Sequence, residues 1–326
     1  MENKRVFPIT FSIPDEKIVK YIPTKKFILA NYIPIGVGET TYIYDNENDY
    51  YNDYKNSLFA ITKKKGGWDC MRHYEILACG CIPYFIDLDQ CPKNALFNFP
   101  KELILTTNKF YEFLKNKYNI SSNNNIIQLN KEEVDKCYEY IELLLKYTKS
   151  YLTTKDIAQY IIQKTNTSLD DNVLYICNPP DGDYLRCLTL HGLKKLYGKK
   201  CDEYPFLPYL YTNCEDKYNL DCKKLHGRGF TYTKLLNEND YYNINSQEEI
   251  IHNIKNKKYN LIIYSSLHKE KPNHDHILID IVNQYYPKDR VVFFCGEDGH
   301  LPHYLTKICI APEYCELGYN CFVREL

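Results

Sequence analysis

The amino-acid sequence predicts an α/β protein built from two Rossmann-like domains. Short, almost wholly apolar segments recur along the chain, which is typical of strands buried on both faces of a parallel sheet. Between them lie segments whose apolar residues recur every three or four positions, which is typical of helices packed on such a sheet. The 326 residues are enough for two hydrophobic cores. We predict domains over 1–168 and 169–326.

The clearest pattern in the first half is a βαβ unit. SLFAIT (57–62) and GCIPYFI (80–86) are predicted strands, and CMRHYEILAC (70–79) between them is a predicted helix. Further strands are predicted over KELILTT (101–107) and NIIQLN (125–130), and further helices over 132–152 and 154–164. The polar stretch QKTNTSLDDN (163–172) then marks the domain boundary.

The second half alternates strands with helices, which predicts a parallel sheet covered on both faces. The predicted strands are NVLYICN (172–178), YNLIIYSS (259–266), RVVFFCG (290–296), KICIAP (307–312) and CFVREL (321–326). The predicted helices are DYLRCLTLHGLKKLYG (183–198), QEEIIHNIKN (247–256) and HILIDIVNQYY (276–286).

The composition excludes several classes of protein. Lys and Arg number 41 against 42 Asp and Glu, so no basic excess draws the chain to nucleic acid. Its apolar runs are too short to span a bilayer and its first residues do not resemble a secretory signal, so we expect a cytoplasmic protein. Most of the 14 cysteines lie in apolar segments without a Cys-x-x-Cys pair, which favours buried free thiols over a zinc site or disulfides.

The loop KKKGGWD between the two strands of the βαβ unit is the first candidate site. Ligands of parallel α/β sheets bind beyond the carboxyl ends of the strands, at helix N-termini. The glycines Gly66 and Gly67 permit close approach of a ligand and unusual φ and ψ angles, and Lys63, Lys64 and Lys65 supply positive charge. The following helix offers its free N–H groups to an anion. The loop therefore favours a phosphate-bearing ligand.

Two charged residues of the helix fit the same ligand. Arg72 and Glu75 are three positions apart, so both can face one cleft, while Tyr74, Leu77 and Ala78 form the opposite, buried face. A carboxylate beside a phosphate is favourable where it meets hydroxyl groups, as on a ribose. The alternative is structural: a surface ion pair, a core tryptophan at Trp68 and a solvated lysine turn.

The segment WDCMRHYEILACGCIPYFIDL (68–88) resembles the nucleotide-sugar-binding segment of GT-B glycosyltransferases, most closely the exostosin-like type. Its Arg-x-x-Glu helix, Ala-Cys-Gly turn and Ile-Pro strand carry the resemblance. The resemblance implies that Glu75 binds the donor ribose, that Arg72 or a nearby lysine binds the diphosphate, and that Trp68 and His73 belong to the same site. Many retaining GT-B enzymes have a second glutamate eight positions before the ribose-binding one. Here that position is Gly67, which slightly favours an inverting reaction.

The second half supplies candidates for the catalytic base. An inverting transferase needs a carboxylate or imidazole to deprotonate the acceptor hydroxyl, and the candidates, in order, are Asp298, Asp183 and His268. Loop aspartates also cap helices, which is the structural alternative. The loops of this half also contain Asp181, Arg228 and the cluster Glu297, His300 and His303. That cluster is a possible metal site, as is Asp87-Leu88-Asp89, although we interpret the latter as a turn and predict no metal or cofactor.

The two halves come in inverted order relative to the GT-B enzymes, in which the acceptor domain usually precedes the donor domain. We therefore expect two domains facing across a cleft, circularly permuted or cut from a longer chain. The predicted function is transfer of a sugar from a nucleotide-diphosphate sugar to a glycan, protein or small-molecule acceptor. The alternative is a non-catalytic binding or scaffold protein, while a dinucleotide enzyme is disfavoured because no Gly-x-Gly-x-x-Gly follows a strand. The many Tyr, Asn and Lys residues indicate an AT-rich genome such as that of a giant virus, and hence the host cytoplasm.

Overall fold

The computed structural model describes residues 5–34, 43–120, 126–177, 181–212, 214–241, 246–265, 267, 276–296, 298 and 311–326. The chain divides into two compact units. The three-stranded unit is Ser12–Thr153, and the six-stranded unit combines Met1–Phe11 with Thr154–Leu326. The predicted boundary near residue 168 therefore differs from the observed division in two ways. The helix that begins at Thr154 lies in the six-stranded unit, and so do the first residues of the chain.

The strands and helices of the described residues are as follows. The strands are β1 (Val6–Pro8), β2 (Phe27–Leu29), β3 (Ser57–Thr62), β4 (Ile82–Phe85), β5 (Val173–Ile176), β6 (Cys201–Tyr204), β7 (Leu261–Tyr264), β8 (Val291–Cys295) and β9 (Asn320–Val323). The helices are α1 (Glu47–Asn56), α2 (Met71–Ala78), α3 (Lys101–Tyr118), α4 (Lys131–Tyr151), α5 (Thr154–Lys164), α6 (Tyr184–Tyr197), α7 (Cys214–Tyr218), α8 (Glu238–Tyr241), α9 (Gln247–Lys255), α10 (Ile279–Tyr285) and α11 (Ala311–Glu316). None of these helices is both long enough and apolar enough to cross a bilayer.

The three-stranded unit is a parallel sheet in the order β2-β3-β4. Its register pairs Leu29 with Phe59 and Thr62 with Phe85, so the three strands end at the same edge. The helix α1 leads from β2 into β3, and α2 connects β3 to β4 as the βαβ pattern predicts. The helix α4 begins with a capping box, in which Asn130 and Glu133 each bind the other's backbone N–H group.

The six-stranded unit is a parallel sheet in the order β1-β9-β8-β7-β5-β6. Every residue of β5, β7, β8 and β9 is buried, as expected of strands covered on both faces. The chain first supplies β1 to one edge of this sheet. After the three-stranded unit it adds β5, then β6 on one side of β5, and then β7, β8 and β9 on the other side, so that β9 lies next to β1. The order of the strands therefore reverses between β5 and β7, which is the position where doubly wound sheets bind ligands.

The α/β class with parallel sheets is confirmed, and so are the strands predicted around β3, β4, β5, β7, β8 and β9. Two predicted strands of the first half are wrong. KELILTT lies in α3, where Ile104, Thr107 and Tyr111 are buried at helical spacing over a longer span than the predicted strand. In NIIQLN only Ile126 forms an isolated bridge, and Asn130 already caps α4. The predicted strand KICIAP falls largely on residues outside the described ones, and its Ala311 begins α11.

Candidate functional site

The loop KKKGGWD lies at the carboxyl edge of the three-stranded sheet, directly after β3. Residues 63–66 are half-buried, whereas Trp68 is buried against Phe85 of β4, with ring centroids 6.5 Å apart. The ammonium group of Lys64 lies 5.0 Å from the centre of the Trp68 ring. The backbone N–H of Lys64 donates to Asp87 Oδ1 at 3.1 Å, which ties the loop to the residues that follow β4. Asp87 thus supports the loop, in agreement with its interpretation as part of a turn.

Gly66 and Gly67 do not serve the loop through a left-handed conformation. Among the described residues, the glycines with positive φ are Gly80, Gly198, Gly227, Gly229 and Gly318. Gly66 and Gly67 are not among them, and the close approach of a ligand that these glycines permit stays a prediction.

Arg72 stands in the first turn of α2 and is only 8% exposed. Its Nε donates to the hydroxyl of Thr62 at 3.1 Å, and its Nη2 donates to the carbonyl of Lys63 at 3.4 Å. The guanidinium carbon lies 5.9 Å from the centre of the Tyr32 ring. Within the described residues Arg72 is thus held by a hydroxyl, a carbonyl and an aromatic ring, and no carboxylate forms an ion pair with it.

His73 is fully buried and joins the end of β3 to the loop. Its Nδ1 lies 2.9 Å from the hydroxyl of Thr62, and its Nε2 lies 2.9 Å from the carbonyl oxygen of Trp68. Burial, reinforced by the charge of Arg72, lowers the pKa of His73 to about 3. The imidazole is therefore neutral at physiological pH, and it supports the loop as a hydrogen-bonding group rather than as a cation.

Glu75 lies one turn further along α2 and is 4% exposed. Its Oε2 accepts a hydrogen bond of 2.7 Å from the hydroxyl of Tyr50, which in turn accepts one of 3.2 Å from Tyr54. Burial, followed by the nearby carboxylate of Glu75, raises the pKa of Tyr50 well above its usual value. Both tyrosines belong to α1, so this helix fixes the orientation of the carboxylate.

Every residue of α2 is buried, including Tyr74, Leu77 and Ala78 on the predicted core face. The predicted division of the helix into a cleft-facing side and a buried side is therefore too simple. Arg72 and Glu75 are positioned by neighbouring elements on what was expected to be the open side. Their low exposure fits either a narrow site or a buried polar network.

Four cationic side chains precede or begin α2, and the buried Asp69, which accepts a hydrogen bond from Tyr74, lies directly before the N-cap Cys70. The first turn of α2 contains Arg72 and no acidic residue, and the three lysines of the loop precede it. Burial lowers the pKa of Lys65, and the positive charge of Arg72 lowers it further. Cationic side chains are unfavourable at this end of a helix because the helix dipole is positive there. The arrangement is one that a bound anion would stabilise.

Three tyrosines of this edge were missed by the sequence analysis: Tyr32, Tyr50 and Tyr54. Tyr32 follows β2, where Asp53 accepts hydrogen bonds from the backbone N–H groups of Asn31 and Tyr32. The ring of Tyr32 meets the ring of Tyr50 edge-on, with centroids 6.0 Å apart. The sequence signal was the three tyrosines of ENDYYNDYKN, which form most of the buried face of α1 in place of aliphatic residues.

The first candidate base, Asp298, lies just beyond β8 and is paired with Arg324. The guanidinium of Arg324 also donates to the carbonyl of Gly296 at 2.8 Å and to Glu325 at 3.2 Å, and it lies 4.6 Å from the centre of the Phe11 ring. The side chain of Arg324 is 4% exposed, whereas that of Asp298 is 39% exposed. Asp298 therefore remains accessible while it neutralises a buried cation.

The second candidate, Asp183, is the N-cap of α6, as the structural alternative predicts. Its Oδ1 accepts from the backbone N–H of Arg186 at 2.9 Å, and its Oδ2 lies 2.9 Å from the Arg186 guanidinium. Arg186 also pairs with Asp181, and its Nε donates to Ser265 at 3.1 Å. These groups occupy the carboxyl ends of β5 and β7, where the strand order reverses. They form a charge-compensated cluster.

Of the remaining candidates of the second half, the structure describes Arg228. His268, Glu297, His300 and His303 lie outside the described residues. Arg228 is described and adopts a left-handed conformation with φ 57°, between two glycines that also have positive φ. In the described part of the chain, no group of three or more His, Cys, Asp or Glu side chains is placed to hold a metal ion.

Comparison with known proteins adds no relative: no family model, curated protein or solved structure matches this chain.

Proposed function

We propose that the protein is a glycosyltransferase that takes a sugar from a nucleotide-diphosphate sugar, and that residues 63–75 bind this donor. The observation that carries the proposal is the gathering of Arg72 and the three loop lysines at the positive end of α2, without an acidic residue in its first turn. This charge is electrostatically unfavourable alone, and an anion offsets the cost. A diphosphate supplies that anion.

Glu75 extends the proposal from a phosphate to a nucleotide. Its carboxylate lies one helical turn beyond Arg72 and accepts a hydrogen bond from Tyr50. A buried carboxylate needs hydrogen-bond donors, and the two hydroxyl groups of a ribose are donors of this kind. We propose that Glu75 binds the ribose and that Arg72 binds the diphosphate, as the resemblance to exostosin-like transferases implies.

The proposed reaction is inverting. The acceptor oxygen forms a bond to the anomeric carbon, and the bond from that carbon to the diphosphate oxygen breaks. The electron pair leaves with the nucleoside diphosphate, whose charge the loop lysines and Arg72 stabilise. The acceptor proton passes to a base, for which we propose Asp298 because its side chain is more than one-third exposed. Gly67 supports inversion because it replaces the second glutamate of many retaining enzymes.

The strand order of the six-stranded sheet supports the proposed permutation. β1 is the first strand of the chain, yet it takes the edge position next to β9, with Val6 opposite Cys321. Without it the sheet follows the order 2-1-3-4-5 of a common doubly wound fold. We propose that β1 is the sixth strand of this domain, supplied from the other end of the sequence.

A specific observation favours a second function, donor binding without transfer. Asp298 and Asp183 are both paired with buried arginines, and Asp183 also caps α6. Each of these carboxylates neutralises a buried cation, which is a structural role that requires no transfer chemistry. A protein that binds nucleotide sugars and no longer transfers them would show the same arrangement.

The experiment separates binding from transfer. We expect a thermal-shift screen of nucleotide-diphosphate sugars to reveal a stabilising donor, and calorimetry to show weaker binding in a Lys64→Ala/Lys65→Ala variant. Lys223→Ala/Lys224→Ala, which removes two exposed lysines elsewhere, is the matched control and should bind as the wild type does. If the control loses as much affinity as the loop variant, the loop is not the site.

Transfer is then measured as release of nucleoside diphosphate, with and without candidate acceptors. We expect Asp298→Asn to bind the donor normally and to react about 10²–10⁴-fold more slowly. Binding without any turnover in the wild type selects the non-catalytic function. A screen without a stabilising nucleotide sugar contradicts both functions.

A further inference from the structure

We propose that Thr62 and His73 are positioning residues that fix the guanidinium group of Arg72 for a diphosphate. The inference rests on the donor site proposed above and adds to it the side chains behind the site. Thr62 is the last residue of β3 and His73 the third residue of α2, so together they connect the sheet to the helix that bears Arg72.

The directions of the hydrogen bonds follow from the chemistry of the partners. The carbonyl oxygen of Trp68 can only accept, so Nε2 of His73, 2.9 Å away, carries the imidazole proton. Because the imidazole is neutral, Nδ1 is then an acceptor and receives the hydroxyl proton of Thr62 over 2.9 Å. The hydroxyl oxygen therefore presents its lone pairs to the donor Nε of Arg72 at 3.1 Å.

This chain of bonds has a single orientation. A reversed hydroxyl would direct its proton toward the N–H of Arg72, and His73 excludes that rotamer by accepting the proton itself. The imidazole cannot turn easily, since it is fully buried and its ring centre lies 4.3 Å from that of Phe85 and 5.9 Å from that of Phe99. The hydrogen bonds of His73 thereby fix the positions of Trp68, Thr62 and Arg72 relative to one another.

The orientation matters because a guanidinium group binds phosphate through its planar fork. Nε and Nη2 of Arg72 are held by Thr62 and the Lys63 carbonyl. In the described part of the chain, Nη1 has no hydrogen-bond acceptor, and it is not among the fully buried unsatisfied atoms. A group held on one edge of its fork in this way presents the other edge in a defined plane, which is the preorganisation that a tight anion site requires.

The first test needs no ligand. The solvent exchange of the Arg72 Nε–H proton is measured by NMR, with the signal assigned from its loss in Arg72→Lys. We expect slow exchange in the wild type and fast exchange in Thr62→Val, which keeps the β-branched shape of the side chain and removes the hydroxyl. Thr62→Ser should restore slow exchange. The ¹⁵N shifts of His73 should show the proton on Nε2. Unchanged protection in Thr62→Val overturns the inference.

The second test measures binding by calorimetry with inorganic pyrophosphate as the probe. We expect Thr62→Val to bind pyrophosphate about tenfold more weakly, the low end of the loss seen when the support of a ligand-binding side chain is removed in metal sites. Thr62→Ser should bind as the wild type does. Thr107→Val is the matched control, because it removes another fully buried hydroxyl, bonded to the Ile104 carbonyl in α3.

The outcomes separate this inference from the proposed function. A Thr62→Val protein that binds pyrophosphate as the wild type does, while Arg72→Ala loses binding, overturns the positioning role and leaves the donor site in place. Equal losses in Thr62→Val and Thr107→Val show a general effect of destabilisation and also overturn it. A wild type that binds neither pyrophosphate nor any nucleotide-diphosphate sugar contradicts the donor site, and this inference with it.

Discussion

Replacement of Glu75 by Gln removes the charge of the proposed ribose-binding group and nearly preserves its shape. The carboxylate is 4% exposed and accepts a hydrogen bond of 2.7 Å from Tyr50. The amide oxygen of Gln can still accept from Tyr50. The substitution therefore weakens bonds to a ligand more than it disturbs the contact with α1.

The expected loss follows from the strength of hydrogen bonds to an ionised group. The amide oxygen of Gln can still accept from the ribose hydroxyls, so each of the two proposed bonds should lose about 1 kcal/mol, the difference between a charge-assisted and a neutral hydrogen bond. Donor binding should therefore weaken roughly fivefold to thirtyfold in Glu75→Gln. The free energy of unfolding should fall by no more than about 1 kcal/mol, the difference between a charge-assisted and a neutral hydrogen bond to Tyr50.

The matched control is Tyr50→Phe, which breaks the same internal hydrogen bond and leaves the carboxylate in place. Donor affinity is measured by calorimetry on the best nucleotide sugar of the screen, and unfolding in urea gives the stability of each variant. We expect Glu75→Gln to lose affinity and Tyr50→Phe to lose mainly stability. If both lose stability and neither loses affinity, Glu75 is a structural residue of α2 and the ribose role is refuted.

Three further predictions follow from other charges. In Arg72→Ala, the pKa of Lys65 should rise because the repelling cation is gone, as followed by NMR titration; an unchanged pKa would show that burial alone depresses it. Because burial lowers the pKa of His73 to about 3, the unfolded chain binds a proton below about pH 6.5 that the folded protein does not. The free energy of unfolding should thus fall by up to about 1.4 kcal/mol for each unit by which the pH is lowered from about 6.5 to 3. In His73→Gln the free energy of unfolding should depend less steeply on pH over this range. Lys194→Met should lower the free energy of unfolding by about 3–5 kcal/mol in urea titrations, because it leaves the buried carboxylate of Glu203, 3.3 Å away, without its cation. A decrease in the free energy of unfolding below about 1 kcal/mol would show that the ion pair of Lys194 and Glu203 is as weak as a surface salt bridge.

The parallel strands were predictable where burial on both faces makes the sequence continuously apolar, as in β5, β7 and β8. β6 was not predictable by the same rule. Its residues Asp202 and Glu203 are buried and charged, and they are compensated by partners that are distant in sequence, Lys258 at 2.7 Å and Lys194. A strand whose buried polar groups are satisfied by tertiary partners leaves no local apolar pattern.

The residues of the candidate site were predictable only where they are close together in the sequence. The Lys, Arg and Glu residues of 63–75 are adjacent in sequence, so their grouping follows from one loop and one helix. The tyrosines that orient them come from the loop after β2 and from α1, and only the fold brings these to the carboxyl edge of β3. The predicted domain boundary differs from the observed one for a related reason. The helix α5 packs with α6 of the six-stranded unit, and a polar stretch after a helix does not reveal which unit the helix joins.

The charges at the two sheet edges differ in a way that bears on function. In the six-stranded unit, Arg186 has Asp181 and Asp183 as partners, and Arg324 has Asp298 and Glu325. Each buried cation there is neutralised within the protein. Arg72, in contrast, is held by a hydroxyl, a carbonyl and an aromatic ring among the described residues, next to a lysine whose pKa its charge depresses. Since a buried charge without a counter-charge is costly, an anionic ligand stabilises the edge at α2 more than the edge at α6. We therefore propose the edge at α2, and not the edge at α6, as the site of the diphosphate, and the proposed base Asp298 would act while it remains the ion-pair partner of Arg324.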